Sequence, residues 1–277
     1  MIAVRPPPPR AVVVGKGRLG KALASALALA GSPLVVVSGR DGAARPDEIL
    51  SAARQVGPEV ILLLAVRDDA LSGLAAVLSD AVSGFPPGTA ALHHSGAHGA
   101  ELLAPLGEKG LATGSCHPLQ TFTGSPVDAQ RFQGTAFAID GSGAGLAAAE
   151  RMALALGGRP VVVRTRDRAL YHLAAALGAN GLTGLVAASR DALTGAGLAP
   201  GDALDALAPL LRSALEEALC RGPEAALTGP VARGDETTLE RHRRALLAWD
   251  ASRTALVEAL IREQRRLAGR SPGGMEC

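Results

Sequence analysis

Gly15, Gly17 and Gly20 form a G-x-G-x-x-G run between a short β-branched apolar stretch, 11–14, and a helical stretch reaching about residue 30. In that strand–turn–helix setting the spacing suits a dinucleotide pyrophosphate. One glycine makes the tight turn, one lets the backbone approach the phosphates, and one lets helix and strand pack closely. The helix start offers unpaired N–H groups and the positive end of its dipole, so Arg18 and Leu19 join the three glycines as candidate cofactor contacts. A glycine-rich turn in a nucleotide-free sheet is the alternative.

The end of the second strand, 34–38, decides which dinucleotide fits. A ribose 2′-hydroxyl is usually met there by Asp or Glu. Here the strand runs out through Ser38, Gly39 and Arg40. A hydroxyl and a permanently charged planar guanidinium suit a 2′-phosphate, which favours NADP. Asp41 would serve a ribose if the strand ended one residue later.

Other polar groups fall where strands should end. Ala65 and Val66 are candidate contacts on the nicotinamide side, and the following Asp68 is either part of the site or a helix cap. In His93-His94-Ser95-Gly96, strand alternation sends the two His side chains to opposite faces. Ser95 and Gly96, at the turn, are candidate contacts for nicotinamide or substrate. His98 makes a third His nearby, but no Asp or Glu adjoins them before Glu101, so no metal site is expected. In the 115–122 run SCHPLQTF, His117 is locked by Pro118 at a strand end, well placed as an acid or base, and Gln120 is a substrate contact. A His that only bonds backbone is the alternative. Nothing beside Cys116 would activate it as a nucleophile.

Farther on, His172, Ala176 and Asn180 recur at i, i+4 and i+8, which puts His172 and Asn180 on one helix face as candidate catalytic groups, with Tyr171 alongside. Gly178, Gly181 and Gly184 make either a close helix crossing or room for a substrate. In the loop 227–238, Thr228 and Arg233 are candidate substrate contacts, Arg233 as a carboxylate clamp, and Asp235 reads as an N-cap for the next helix.

The elements that must carry these groups alternate. Strands are expected at 11–14, 34–38, 59–66, 89–95, 111–118, 132–140 and 159–165. Helices separate most of them, including 46–56 behind Pro46, 98–108 and 143–157. That pattern predicts an α/β fold with a parallel, doubly wound sheet and a ligand crevice at the carboxyl ends of its strands. After residue 165 the strand signals stop. One long helix, 168–193, and three more at 202–219, 235–248 and 251–268 predict an all-helical second domain. The organisation expected is a Pro-rich arm at 1–10, a cofactor domain at 11–165, a helical substrate and dimerisation domain at 166–270, and a tail at 271–277.

Composition narrows the function. With 277 residues the chain has room for two domains. Aromatics at 2% leave no stacking platform for single-stranded nucleic acid. The net charge is +2, and the basic residues are interleaved with acidic ones rather than clustered, so nucleic-acid partners are not expected. Three cysteines make no disulfide framework and point to a reducing, cytoplasmic compartment. The apolar stretch 22–37 is broken by Gly31, Ser32 and Pro33, so it reads as helix then strand rather than a membrane span. In the last helix Leu256, Leu260 and Ile261 share a face, which suggests a homodimer.

Four motifs in order, HHSGAHGAELLAPL, GSCHPLQTF, YHLAAALGAN and ALTGPVARGD, resemble bacterial proteins in which a Rossmann-like domain precedes domain of unknown function 2520. The resemblance runs over about residues 11–268. That family is similar to the pyrroline-5-carboxylate reductases, ketopantoate reductases and prephenate dehydrogenases. It implies a helical domain of the 6-phosphogluconate dehydrogenase C-terminal kind that completes the site and usually dimerises. It also implies an NADP-dependent reductase of a small C=O or C=N substrate, ketopantoate-type keto acids included. Ketopantoate reductases carry a catalytic Lys four residues before an Asn; Asn180 matches the Asn, but Ala176 stands in place of the Lys. His117-Pro118 matches the catalytic His-Pro of prephenate dehydrogenases. The expected activity is therefore proton donation by His117 or His172 with Asn180 holding the acceptor atom. A non-catalytic NADP-binding sensor is the alternative.

Overall fold

The computed structural model describes residues 8–38 and 45–269. Seven strands form one sheet: β1 Ala11–Val14, β2 Leu34–Val37, β3 Ile61–Leu64, β4 Ala90–His93, β5 Ala112–Pro118, β6 Ala136–Gly141 and β7 Arg159–Val162, in the order β2-β1-β3-β4-β5-β6-β7. Between them lie α1 Arg18–Leu29, α2 Pro46–Val56, α3 Asp68–Ser79, α4 Ala104–Glu108 and α5 Gly143–Ala155. Strands buried on both faces explain the unbroken apolar runs. Val13, Ile61 and Leu63 pack with Leu23 and Leu27 of α1 and Met152 of α5, while Val12, Val14, Leu62 and Leu64 pack with Ile49 of α2 and Leu71 of α3. The apolar stretch 22–37 folds as the body of α1 followed by β2.

The sheet is not parallel throughout, which corrects the sequence expectation. β1 to β5 pair in parallel, β5 and β6 pair antiparallel, and β6 and β7 are parallel again. A parallel neighbour needs a long crossover, usually a helix. Between β5 and β6 the chain makes only a loop and the 3₁₀ turn Pro126–Phe132, so it returns alongside. That turn also occupies the start of the strand expected at 132–140. The helix expected at 98–108 is shortened likewise. It is a 3₁₀ turn, Ala100–Leu103, followed by the five residues of α4.

The chain divides into two compact units, 1–180 and 181–277. The division falls inside the helical run whose loss of strand signals marked residue 166. That run is not one α-helix. It comprises α6 Arg168–Ala176, a π-helical turn Leu177–Gly181 and α7 Leu182–Gly195. The stretch Thr165–Gly195 is long and apolar enough to cross a membrane by length and composition alone. The second unit continues with α8 Pro200–Arg221, α9 Pro223–Ala226, α10 Glu236–Asp250 and α11 Thr254–Ala268. Its buried apolar cluster holds Val231, Leu239 and Ile261. Of the face expected to meet a second copy, Ile261 is thus buried within its own unit. Leu256 stays 41% exposed, and Leu260 lines an apolar groove with Leu185 and Trp249.

Candidate active site

The glycine loop has the geometry that a phosphate cradle needs. Gly15 sits at φ +113°, where side chains are strained, and a Cβ there would run into the Ala65 carbonyl. A Cβ on Gly20 would run into the Gly15 carbonyl. Gly17 differs: nothing lies within 4 Å of the place its Cβ would take, so the backbone there faces open space. α1 begins at the next residue with no side-chain cap and no acidic residue in its first turn. Its N–H groups are thus left for an anion, and these residues fit a dinucleotide diphosphate.

Other expected cofactor contacts vary in what they present. The Arg18 stem runs beside Gly124 of the loop after β5. The Leu19 side chain turns into the core, so only its backbone faces outward. Ala65, just past β3, lies against Gly15, and Val66 packs on the core. Ser38 follows β2 and is partly buried, whereas Arg40 and Asp41 lie outside the described residues.

Both strand-end histidines of β4 are structural. His93 accepts from the Ser95 N–H at Nδ1 (3.1 Å) and therefore donates from Nε2 to the Gly99 carbonyl (2.7 Å). His94 donates from Nδ1 to the Cys116 carbonyl (2.5 Å), and its buried Nε2 has no hydrogen-bond partner. Burial holds both below the ordinary imidazole range, His94 down to about 4. Burial also pushes the Cys116 thiol up to about 12, so it is inert as a nucleophile. The buried Ser95 hydroxyl donates to the Asp68 carboxylate (2.7 Å), tying the ends of β3 and β4. Asp68 is the first residue of α3 rather than its cap. His98 is exposed, and no group of three His, Cys, Asp or Glu side chains gathers as a metal site among the described residues.

His117, at the end of β5, is the centre of the cluster. Its Nδ1 lies 2.8 Å from the Tyr171 hydroxyl, and its ring stands edge-on to Tyr171 at 5.5 Å and to His172 at 6.5 Å. Gly96 closes the other side: a Cβ there would come within 2.8 Å of both His117 Nε2 and His172 Cδ2. Burial above all, then His94, Arg168, His172 and His93, press the His117 pKa down to about 3, so the ring is neutral at neutral pH. These groups open on a cavity of about 450 Å³, which Gln120, Thr121, Gly178 and Asn180 also line. That volume suits a small ligand.

The π turn aligns His172 with Asn180. Eight residues of regular α-helix would leave Asn180 about 80° round from His172. The wider turn at Leu177–Gly181 takes back part of that rotation, and both side chains line one cavity. Such turns often mark functional positions.

Sequence reasoning missed Arg168 and named Tyr171 without giving it a role. Arg168 is fully buried: Nε donates to the Val163 carbonyl (3.0 Å), and one terminal nitrogen to the Ser115 hydroxyl (2.5 Å) and the Ala138 carbonyl (3.3 Å). It pins the start of α6 to the sheet and so positions Tyr171 and His172. Its guanidinium carbon lies 6.0 Å from the Tyr171 ring centre. One more Arg in an Arg-rich chain carries no signal. Tyr171, by contrast, is the single tyrosine, a signal that was available.

Thr228 and Arg233 lie in the second unit, both exposed, in the loop before α10. Asp235 caps that helix, accepting from the Thr238 backbone N–H (3.0 Å) and hydroxyl (2.7 Å).

No curated protein matches the sequence. Solved structures resemble it over nearly its whole length. TM1727 from Thermotoga maritima is 21% identical with a TM-score of 0.70, covering 94% of this chain and 98% of that one. BF3122 from Bacteroides fragilis, provisionally assigned as an NADP oxidoreductase, is 24% identical with a TM-score of 0.70, covering 93% and 98%. The Plasmodium falciparum pyrroline carboxylate reductase with NADP bound is 12% identical with a TM-score of 0.60, covering 95% and 99%. Residues 2–118 match the model of the Rossmann-like domain, and residues 135–263 match the domain of unknown function DUF2520. Two domain models thus match in succession along the chain, the Rossmann-like domain first and DUF2520 second.

Proposed function

We propose that the protein is an NADP-dependent oxidoreductase that reduces a C=O or C=N bond in a small, carboxylate-bearing substrate. The observation that carries this reading is the placement of the His117 ring. The ring is held by Tyr171 and faces a cavity shared with His172 and Asn180, in the same unit as an uncapped glycine loop. Likeness to structures of NADP-binding reductases supports it.

In this reading Gly15, Gly17 and Gly20 with the first turn of α1 hold the diphosphate, and Ser38 with Arg40 receives a 2′-phosphate. When bound, the reduced dinucleotide supplies a hydride. His117 keeps a proton at a ring nitrogen beside the acceptor atom, and the Asn180 amide orients that atom and stabilises the charge developing on it. Ser95, hydrogen-bonded to Asp68, keeps the strand ends in place next to Gly96. We further propose a homodimer formed through the helical half and a reducing, cytoplasmic setting, which suits the exposed free thiol of Cys220.

The test is a fluorescence titration with NADPH and NADH, on the native chain and on Gly17→Ala. The open space at Gly17 predicts a folded variant whose NADPH affinity falls about tenfold or more. NADPH is expected to bind more tightly than NADH, and His117→Ala and Asn180→Ala to lower kcat while leaving NADPH affinity unchanged. Binding of neither dinucleotide overturns the reading. A protein that binds NADPH but reduces no keto or imino acid is a sensor instead.

A further inference from the structure

We propose that the cavity is built for the carbonyl of a ketone rather than for a cationic iminium, and that Tyr171 feeds the proton such a substrate needs through the His117 ring. This rests on the reductase reading above and chooses between the two bonds it leaves open.

The first ground is charge. None of the described cavity-lining residues is acidic. The groups that press most on His117 are His94 and His93 from the end of β4 and Arg168 and His172 from α6, and none of them is an anion. The adjoining Cys116 thiol stays protonated. The Asp68 carboxylate accepts from the Ser95 hydroxyl, and Asp140 and Glu101 accept from that of Thr165, and none of the three lines the cavity. An iminium arrives as a cation and loses its charge as it is reduced, so it needs an anion beside it. A ketone arrives neutral and gains negative charge on oxygen, which N–H donors and a nearby guanidinium stabilise. The surroundings fit the second case.

The second ground is the direction of the 2.8 Å contact between Tyr171 and His117 Nδ1. A phenol is a far stronger acid than a neutral imidazole N–H, so the hydroxyl donates and Nδ1 accepts. The ring proton then sits on Nε2, the edge that faces Gly96 and the His172 ring.

The step balances. A bound reduced nicotinamide would supply the hydride to the carbonyl carbon, with the C=O π pair moving onto oxygen. That oxygen bonds to the hydrogen leaving His117 Nε2. His117 Nδ1 takes the phenolic hydrogen of Tyr171; the phenolate near Arg168 then regains that hydrogen from Nδ1 as Nε2 takes one proton from water, which restores the starting tautomer. Ketone, hydride and one solvent proton give an alcohol. An iminium needs no such proton, because hydride addition to its carbon already leaves a neutral amine.

The experiment compares short-chain 2-oxo acids with permanently charged N-alkyl cyclic iminium salts, using the full chain with NADPH. The 2-oxo acids are expected to be better substrates by about tenfold or more in kcat/KM. Tyr171→Phe removes only the hydroxyl, and is expected to lower kcat on them about 10²-fold with little change in KM. Two readouts need no turnover. Imidazole ¹⁵N spectra are expected to place the His117 proton on Nε2 in the native chain. Because Tyr171 is the only tyrosine, tyrosinate absorbance reports it alone, and is expected to appear only well above the range of a free phenol. Preference for the iminium salts, an Nδ1–H tautomer, or full turnover of 2-oxo acids by Tyr171→Phe overturns this inference and leaves the reductase reading standing. Failure to reduce either class by a chain that binds NADPH overturns both.

Discussion

Gly96→Ala tests whether the edge of His117 that faces this glycine is the working edge. The added methyl would stand 2.8 Å from His117 Nε2 and from His172 Cδ2, and 3.0 Å from His117 Cε1. Ordinary contact begins at 3.4 Å, so two rings must back away by about 0.6 Å at once. His117 cannot do so freely, because its Nδ1 is held at 2.8 Å by Tyr171. Overpacking of this kind costs about 1–3 kcal/mol of stability. A displacement approaching 1 Å at a reacting group costs about 10²-fold in rate, or about 2.7 kcal/mol of transition-state stabilisation. The expectation is therefore a folded variant, modestly less resistant to urea, with kcat/KM down about 10²-fold and NADPH affinity within a few-fold of native. The assays are urea unfolding, steady-state reduction of the best 2-oxo acid, and NADPH titration. Native kcat/KM in a folded Gly96→Ala would refute the placement of His117 Nε2 at the reacting atom. A loss confined to NADPH affinity would refute it too, making Gly96 a cofactor contact alone.

Two further outcomes follow from the same geometry. His94 is buried with its pKa pressed to about 4, below the ordinary 6.5, so the unfolded chain binds more protons at this site between those values. Stability is thus full above about pH 6.5 and falls with acidification toward pH 4. From pH 7 to pH 5 the loss from this ring is about 2 kcal/mol, and urea midpoints that stay flat over that range would contradict its burial as a neutral group. The dimer proposal began from the last helix, and the helical half also carries Leu170, Leu173 and Leu177, a stripe at i, i+3 and i+7 that is 72%, 52% and 65% exposed. Light scattering at micromolar concentration is expected to give twice the chain mass, and a monomer would end the proposal.

Much of the frame is readable from periodicity, because doubly buried strands leave unbroken apolar runs such as 61–64 and their helices leave 3.6-residue patterns. The glycine loop is legible because each glycine has a separate steric reason that survives in the spacing. The reversal between β5 and β6 is not, since it depends on what the connection lacks: no α-helix forms between 119 and 135, and short apolar stretches look alike in either direction. Nor is the buried role of Arg168, whose partners are the carbonyls of Val163 and Ala138 and the Ser115 hydroxyl, groups found at many positions.

The alignment of His172 with Asn180 shows a subtler limit. Spacing at i, i+4 and i+8 correctly puts the two side chains on one face, but a regular helix would leave them about 80° apart. The sequence contains the means of closing that gap in Gly178 and Gly181, which lower the cost of unwinding a turn, but not the outcome. Ala176 stands between His172 and Asn180, where the resemblance to ketopantoate reductases would place a lysine, and a small side chain keeps the cavity open at that level. With no cation there, proton delivery falls to groups across the cavity, and the pair that faces it from β5 and α6 is His117 with Tyr171. Ala176→Lys is therefore expected to fold, since the position lines a cavity, but to repel a cationic acceptor further and to compete with His117 for the carbonyl oxygen. Its pH–rate profile would then gain a basic limb set by the new amine that the native chain lacks. A profile unchanged by the substitution would mean that the reacting atom lies away from this face of α6.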